Sequence, residues 1–244
     1  MKRKIACITG SSRGIGKAIA LCFAKDGYDI VLNCRNSISQ MDKVKLEIET
    51  TYSVRCMGIC ADVSNPEQVT QMFQTISSEF GEIDVLVCNA GISFFGLISD
   101  MTPMEWQNVI NTNLSSSFYC CKQAIPSMVA RKSGRILMIS SIWGNCGASY
   151  EVAYSAAKGG LNTFTKALAK ELAPSNIPVN AISCGVIDTE MNAHLSAEEM
   201  QALIDEIPAC RLGKPEEVGC LALLLAKAPE YLTGQIITMD GGLL

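Results

Sequence analysis

The sequence predicts an α/β chain, a doubly wound parallel sheet of about seven strands with helices on both faces, on three observations. Short β-branched runs alternate with longer amphipathic ones from end to end, as they do when strands are joined through crossover helices. No repeat, low-complexity tract or linker interrupts that alternation, so residues 1–244 are read as a single domain. Hydrophobic residues make up 48% of the 244, enough for a buried core and too many for a disordered chain.

Strands are expected at Ile5–Thr9, Asp29–Asn33, Arg55–Cys60, Val85–Cys88, Arg135–Ser140, Val179–Ser183 and Ile236–Met239. Helices lie between them, several with readable starts. Ser64-Asn65-Pro66-Glu67 and Thr102-Pro103-Met104-Glu105 each offer a hydroxyl N-cap, a proline in the first turn and a glutamate after it. Ser196-Ala197-Glu198-Glu199 repeats the capping signature. The organising helical stretch is Tyr150–Leu172, where Tyr154 and Lys158 stand four apart and so share one face.

Composition excludes several classes. The net charge is −4 and the basic residues are scattered, so the footprint of a nucleic-acid binder is missing. Met1-Lys2-Arg3-Lys4 is basic, but Ile5–Gly10 is too short to be the apolar region of a signal peptide. The longest apolar run, Cys220–Ala226, falls far below a membrane span, and a soluble cytoplasmic protein is expected. Most of the twelve cysteines sit in apolar runs, among them Cys7, Cys22, Cys88 and Cys220, where a reduced thiol acts as a small hydrophobe. Only Cys56 and Cys60 are spaced like metal ligands. With one histidine, His194, and no second close pair, no metal site is expected.

The first strand runs into Thr9-Gly10-Ser11-Ser12-Arg13-Gly14-Ile15-Gly16 and then an amphipathic stretch, Lys17–Lys25. Glycines there permit a tight turn and close backbone approach to a pyrophosphate, and the following helix start offers unpaired N–H groups. Its place within a β-α-β unit predicts a Rossmann-type dinucleotide site. An NAD site carries a carboxylate at the end of the second strand, whereas an NADP site replaces it with a base. Here that strand ends Asn33-Cys34-Arg35-Asn36, with no acid from Ile30 to Met41. Arg35, helped by Arg13, would neutralise a 2′-phosphate, so NADP(H) is the expected cofactor.

The glycine turn, Asp62 after the third strand, Asn89-Ala90-Gly91 after the fourth, Asn113 in the next helix, Ser141 after the fifth and Tyr154-x3-Lys158 together resemble the short-chain dehydrogenase/reductase family. The resemblance extends to Arg211-Leu212-Gly213-Lys214-Pro215-Glu216-Glu217 and the closing Asp240-Gly241-Gly242. It implies that Tyr154 protonates a carbonyl oxygen, that Lys158 depresses the tyrosine pKa and holds the nicotinamide ribose, and that Ser141 orients the carbonyl. Asn113 resembles the residue that holds a water linking Lys158 to solvent, although it also fits a plain bridge from helix to strand. The cofactor would be held by Gly10, Ser12, Arg13, Gly14, Ile15, Gly16, Arg35, Asp62, Val63, Asn89, Ala90, Gly91, Tyr154, Lys158, Gly185, Ile187 and Thr189, with Asp62 on the adenine amino group. A bland structural role suits Asn89 better. Two departures stand out, Cys88 where the family has a second asparagine and Cys184 where it has a proline before Gly185. The second loosens the turn into the substrate loop, 188–212.

The substrate reading points two ways. Chain length and ending resemble those of 3-oxoacyl-acyl-carrier-protein reductases, which dock acyl carrier protein, and Arg131, Lys132 and Arg135 are candidates for such a basic surface. Yet Ser141–Ala157 and Cys184–Cys210 contain no lysine or arginine and hold Glu151, Asp188, Glu190, Glu198, Glu199, Asp205 and Glu206. The strings around Ser141, Trp143, Glu151 and Asp188 resemble reductases of the 5-aminopentanone group on elongation factor P, in which Glu151 or Asp188 would receive an ammonium. A hydroxysteroid, sugar or small-alcohol dehydrogenase and a non-catalytic NADP-binding sensor remain alternatives. The family resemblance also implies a homo-tetramer formed through the helices headed by Met104 and Tyr154 and the C-terminal strand.

Overall fold

A computed structural model describes residues 3–193 and 195–244; His194 and the first two residues of the basic start lie outside the described residues. One seven-stranded parallel sheet runs through the protein in the order β3-β2-β1-β4-β5-β6-β7. The strands are β1 (Ile5–Ile8), β2 (Asp29–Cys34), β3 (Cys56–Cys60), β4 (Val85–Cys88), β5 (Arg135–Ser141), β6 (Val179–Cys184) and β7 (Ile236–Met239). All seven expected strands form, with ends shifted by at most one residue. Because both faces are covered, β1, β2, β4 and β6 are buried at every position.

The helices are α1 (Gly14–Lys25), α2 (Ile38–Tyr52), α3 (Pro66–Thr75), α4 (Pro103–Ile110), α5 (Ser116–Arg131), α6 (Trp143–Cys146), α7 (Val152–Leu172), α8 (Ala197–Glu206) and α9 (Pro215–Lys227). Strand alternation sorts the core into two layers. Ala6, Ile8, Ile30 and Leu32 face α1, α2 and α9 with Ile19, Phe23 and Val218, while Ile5, Cys7, Leu86 and Met138 face α3, α5 and α7 with Met72, Cys120 and Leu161. Truncating a side chain as enclosed as Phe23 removes about 3–5 kcal/mol of stability.

Three helix starts refine the sequence expectations. Thr102 and Ser196 form reciprocal capping boxes with Glu105 and Glu199. At α3 the cap is the Asn65 amide oxygen, which accepts from Gln68 N at 2.9 Å, and not the Ser64 hydroxyl. Ser64 instead donates to Asp62 at 2.7 Å, because Asp62 turns back onto the chain just before the helix. The organising helix begins at Val152, later than the expected Tyr150. Tyr150 lies in the left-handed region at φ 64°, and Glu151 is the N-cap.

The chain leaves β1 toward β2 and β3 on one side and reaches β4 to β7 on the other, so the carboxyl ends of β1 and β4 flank a topological switch point. The turns after β1 and β4, and the ends of β2, β5 and β6, therefore open on one edge of the sheet.

Candidate active site

At that edge the glycine turn is tied down from three directions. Ser11 donates its hydroxyl to Ile8 O at 2.8 Å and receives Asn33 N at 3.0 Å. Asn33, buried in β2, accepts from Gly10 N at 3.3 Å and donates to Ala61 O at 3.0 Å. Asn89 donates to the carbonyls of Thr9 and Gly10 at 2.9 and 3.0 Å, and Thr9 Oγ1 accepts from Asn89 N and Ala90 N. Gly10 and Gly14 have φ of 63° and 54°. A side chain at Gly16 would put its Cβ 2.3 Å from Gly10 O and 2.5 Å from Asn89 Nδ2. The α1 start at Arg13 has no side-chain cap, so its N–H groups face the turn.

Arg35 follows β2 and lies 4.0 Å from Asp62, which follows β3; Asp62 accepts from Ser64 N at 2.9 Å and precedes the buried Val63. The charged ends of the two neighbouring strands thus meet beside the turn. Arg13, the N-cap of α1, is half-exposed. Its guanidinium pairs with Glu190 at 3.4 Å, because Thr189 packs on Gly14 and brings the substrate segment over the glycine turn.

Ser141 ends β5 and Tyr154 stands in the first turn of α7, near enough that the serine hydroxyl acts to lower the phenol's pKa. Ser141 Oγ also accepts from Trp143 N at 3.2 Å. Lys158 is buried, donates to Ile139 O at 2.8 Å and holds its ammonium 5.5 Å from the Tyr154 ring centre. Burial raises the Tyr154 pKa above the ordinary phenol value; the Ser141 hydroxyl opposes this and the Glu151 and Cys184 charges add to it. Burial lowers Lys158 to about 8, against smaller opposing effects of Cys184 and Cys88. The expected depression of Tyr154 by Lys158 does not show: burial dominates the phenol, and the Lys158 ammonium is turned to the Ile139 carbonyl. Cys184 itself is pushed up to about 12 by burial and stays a neutral thiol.

Asn113 lies in a π-helical turn, Asn111–Ser115, between α4 and α5. Its amide donates to Ile92 O and Val109 O at 2.8 and 2.9 Å and accepts from Ile92 N at 3.2 Å, bridging the helix to the segment after β4. Gly91 has room only for hydrogen there, since a Cβ would come 2.7 Å from Asn113 Oδ1 and 3.6 Å from Lys158 Nζ. After β6, Gly185 approaches Asp240, Ile187 bridges to Gly213, and Asp188 is exposed with its backbone N bonded to Gly213 O at 2.8 Å.

Sequence reasoning missed a second polar row behind the site. Ser140 donates to Asn162 at 2.6 Å, Asn162 to Asn145 at 2.8 Å and Asn145 to Ser183 at 3.0 Å. It locks α6 onto α7 next to Lys158. A Cβ at Gly144 would come 2.6 Å from the Lys158 carbonyl carbon. Asn162, four residues after Lys158 on the buried helix face, was the available signal.

The basic candidates Arg131, Lys132 and Arg135 do not reach this edge. Arg135 is the first residue of β5 and Ser141 the last, about 20 Å apart along an extended strand. Arg131 binds Asp84 at 2.9 Å and Arg135 binds Glu230 at 3.2 Å.

A sequence model of short chain dehydrogenases matches residues 4–200. The chain belongs to the short chain dehydrogenase family. This oxidoreductase is 41% identical to a 3-oxoacyl-[acyl-carrier-protein] reductase of Synechocystis sp. (strain ATCC 27184 / PCC 6803 / Kazusa) over 98% of its own chain and 96% of the relative. It is 38% identical to an uncharacterised oxidoreductase of Bacillus subtilis (strain 168), covering 98% of each. Among solved structures it matches a putative gluconate dehydrogenase of Agrobacterium tumefaciens with a TM-score of 0.94 and 34% identity, covering 98% of this chain and 95% of that one. No helix among the described residues is long and apolar enough to cross a membrane.

Proposed function

We propose that the protein is a cytoplasmic NADPH-dependent ketoreductase of the 3-oxoacyl-acyl-carrier-protein type. The observation that carries the chemistry is the placing of Ser141, Tyr154 and the buried Lys158 together on the sheet edge that also carries the glycine turn. The close approaches at Gly16 and Gly91 and the uncapped α1 start fit a bound dinucleotide. Gly10, Ser12, Arg13, Gly14, Ile15, Gly16, Asp62, Val63, Asn89–Gly91, Tyr154, Gly185, Ile187 and Thr189 would hold it, with Lys158 on the nicotinamide ribose. The half-exposed Arg35, in a strand end without an acid, favours a 2′-phosphate over a free hydroxyl. When bound, the nicotinamide cofactor supplies the two electrons and one hydrogen that a ketone carbon needs.

The chain's own residues manage the oxygen. Ser141 and Tyr154 donate hydrogen bonds to the carbonyl, polarising it where negative charge develops. Tyr154 then gives up its proton, so alkoxide charge does not build up. A buried phenol held above its ordinary pKa is a stocked proton donor at neutral pH, and in this reading the Lys158 ammonium, 5.5 Å from its ring centre, would offset the phenolate charge left behind. Asn113 anchors the segment that carries Gly91 and in this reading helps return a proton through water. Exposed Met104, Trp106 and Phe118 on α4 and α5 support homo-tetramer assembly.

A second reading is favoured by one observation. Glu151, at the α7 N-cap, is felt by the Tyr154 phenol, and the segments around it carry no cation. In this reading Glu151, or Asp188 opposite, receives the ammonium of an aminoketone such as the 5-aminopentanone group on elongation factor P, with Trp143 lining the approach.

A panel of acetoacetyl thioester, aminoketone, hydroxysteroid and aldose, assayed by NADPH and NADH oxidation, tests both. The acetoacetyl thioester with NADPH is expected to give the highest kcat/KM. A preference for the aminoketone selects the second reading, and an aldose turned over best with NADH overturns both.

A further inference from the structure

We propose that Cys34 and Cys60 are a dithiol modification site, closing reversibly to a disulfide that weakens NADPH binding. The two residues are register partners at the ends of the parallel strands β2 and β3, so their side chains leave the sheet on the same face. Neighbouring strands set partner Cα atoms about 4.8 Å apart, within the reach of a disulfide. The two thiols are near enough for Cys60 to raise the Cys34 pKa, and Cys60 Sγ donates to Arg35 O at 3.0 Å. Cys60 is exposed whereas Cys34 is 3% exposed, so one thiol meets an oxidant and the other waits beneath it.

The chemistry is thiol–disulfide exchange with a low-molecular-weight disulfide. The Cys60 thiolate attacks one sulfur of the oxidant, whose S–S bond breaks and releases a thiol. Cys34 then gives up its proton, attacks Cys60 Sγ and expels the second thiol. The protein loses two hydrogens and the oxidant gains them.

The consequence rests on the reading of Arg35 as the 2′-phosphate partner; the bond itself does not. Closure takes Cys60 Sγ away from the Arg35 carbonyl and ties the last residue of β2 to the last of β3, shifting the backbone that holds Arg35 4.0 Å from Asp62. A second thiol pair, Cys22 on α1 and Cys220 on α9, also lies close together but belongs to helices on the sheet face.

The test is treatment of the folded full-length Cys22→Ser protein, which removes that second pair, with glutathione disulfide. Peptide mapping by mass spectrometry follows the thiols, and NADPH fluorescence titration follows binding. A Cys34–Cys60 linked peptide that dithiothreitol reverses is expected, with the NADPH Kd raised about five-fold or more, a response that Cys60→Ser lacks. A stable glutathione adduct on Cys60 without the link, or a link that leaves the NADPH Kd unchanged, overturns the proposal. Reduced protein that binds NADH as tightly as NADPH overturns the cofactor reading instead, while the linked peptide still scores the bond.

Discussion

Lys158 donates to the Ile139 carbonyl at 2.8 Å while its ammonium lies 5.5 Å from the ring centre of Tyr154. One buried cation is thus anchored to β5 and set over the residue four positions earlier on α7. The carbonyl keeps the ammonium from wandering. The ring receives its field without a direct ion pair.

Tyr154→Phe keeps the ring and loses the proton. Ketone reduction is expected to fall about 10²- to 10⁴-fold in kcat, with the NADPH Kd changed less than about two-fold. NADPH oxidation and fluorescence titration measure the two separately. A variant that retains a third of wild-type kcat is incompatible with Tyr154 as the acid.

Lys158 gives the stability a pH signature. Its pKa is lowered to about 8 in the folded protein from an ordinary 10.5, so between those values the unfolded chain binds more protons and stability rises with pH. Below about 8 the full burial penalty is present. Relative to Lys158→Met, wild type should gain on the order of 1 kcal/mol per pH unit between about 8 and 10. Cys184, raised to about 12, contributes the opposite slope above 9, but it does so in both proteins. Urea unfolding at several pH values checks the difference, which a structural role alone would leave flat.

Arg35→Ser should raise the NADPH Kd about ten-fold, near 1.4 kcal/mol, and leave NADH binding within about two-fold. Equal losses for both cofactors would show that Arg35 holds the strand end and not a phosphate.

Gly16→Ala places a methyl 2.3 Å from Gly10 O and 2.9 Å from Ser11 Cα, both backbone atoms that cannot rotate away. The turn must open, at a cost of about 1–3 kcal/mol in stability. Dinucleotide binding should be lost before the fold is, as seen by fluorescence titration alongside circular dichroism.

Glu151→Gln separates the two substrate readings. If Glu151 receives an ammonium, kcat/KM for an aminoketone falls about ten-fold or more while an uncharged ketone is spared. Equal loss on both would end the charge-recognition idea.

Much of the fold was legible because parallel strands buried on both faces read as apolar runs, as at Val85–Cys88, and the half-buried edge strand Ile236–Met239 is also apolar enough to appear where the sequence places it. Ser141, Tyr154 and the glycine turn come together where their sequence positions put them, because each sits at a strand end or in a helix's first turns, where local signals are strongest. Asn33 was not legible, since an asparagine in an apolar run gives no sign of its distant partner Ala61, and the spacing of Asn162 from Lys158 marks a buried polar position without naming its partner Ser140. Ser64 was misjudged for a similar reason, its hydroxyl having a competing local acceptor in Asp62.

The sequence by itself determined the element order, the glycine turn and the four-residue spacing of Tyr154 and Lys158, because all are set by local chemistry and short periodicities. Tertiary structure alone decided the ionisation of the site, the pairing of Arg13 with Glu190, the retreat of Arg131 and Arg135 to the far edge, and the meeting of Cys34 with Cys60. Burial and strand register are properties of surroundings, and residues far apart in the chain supply them.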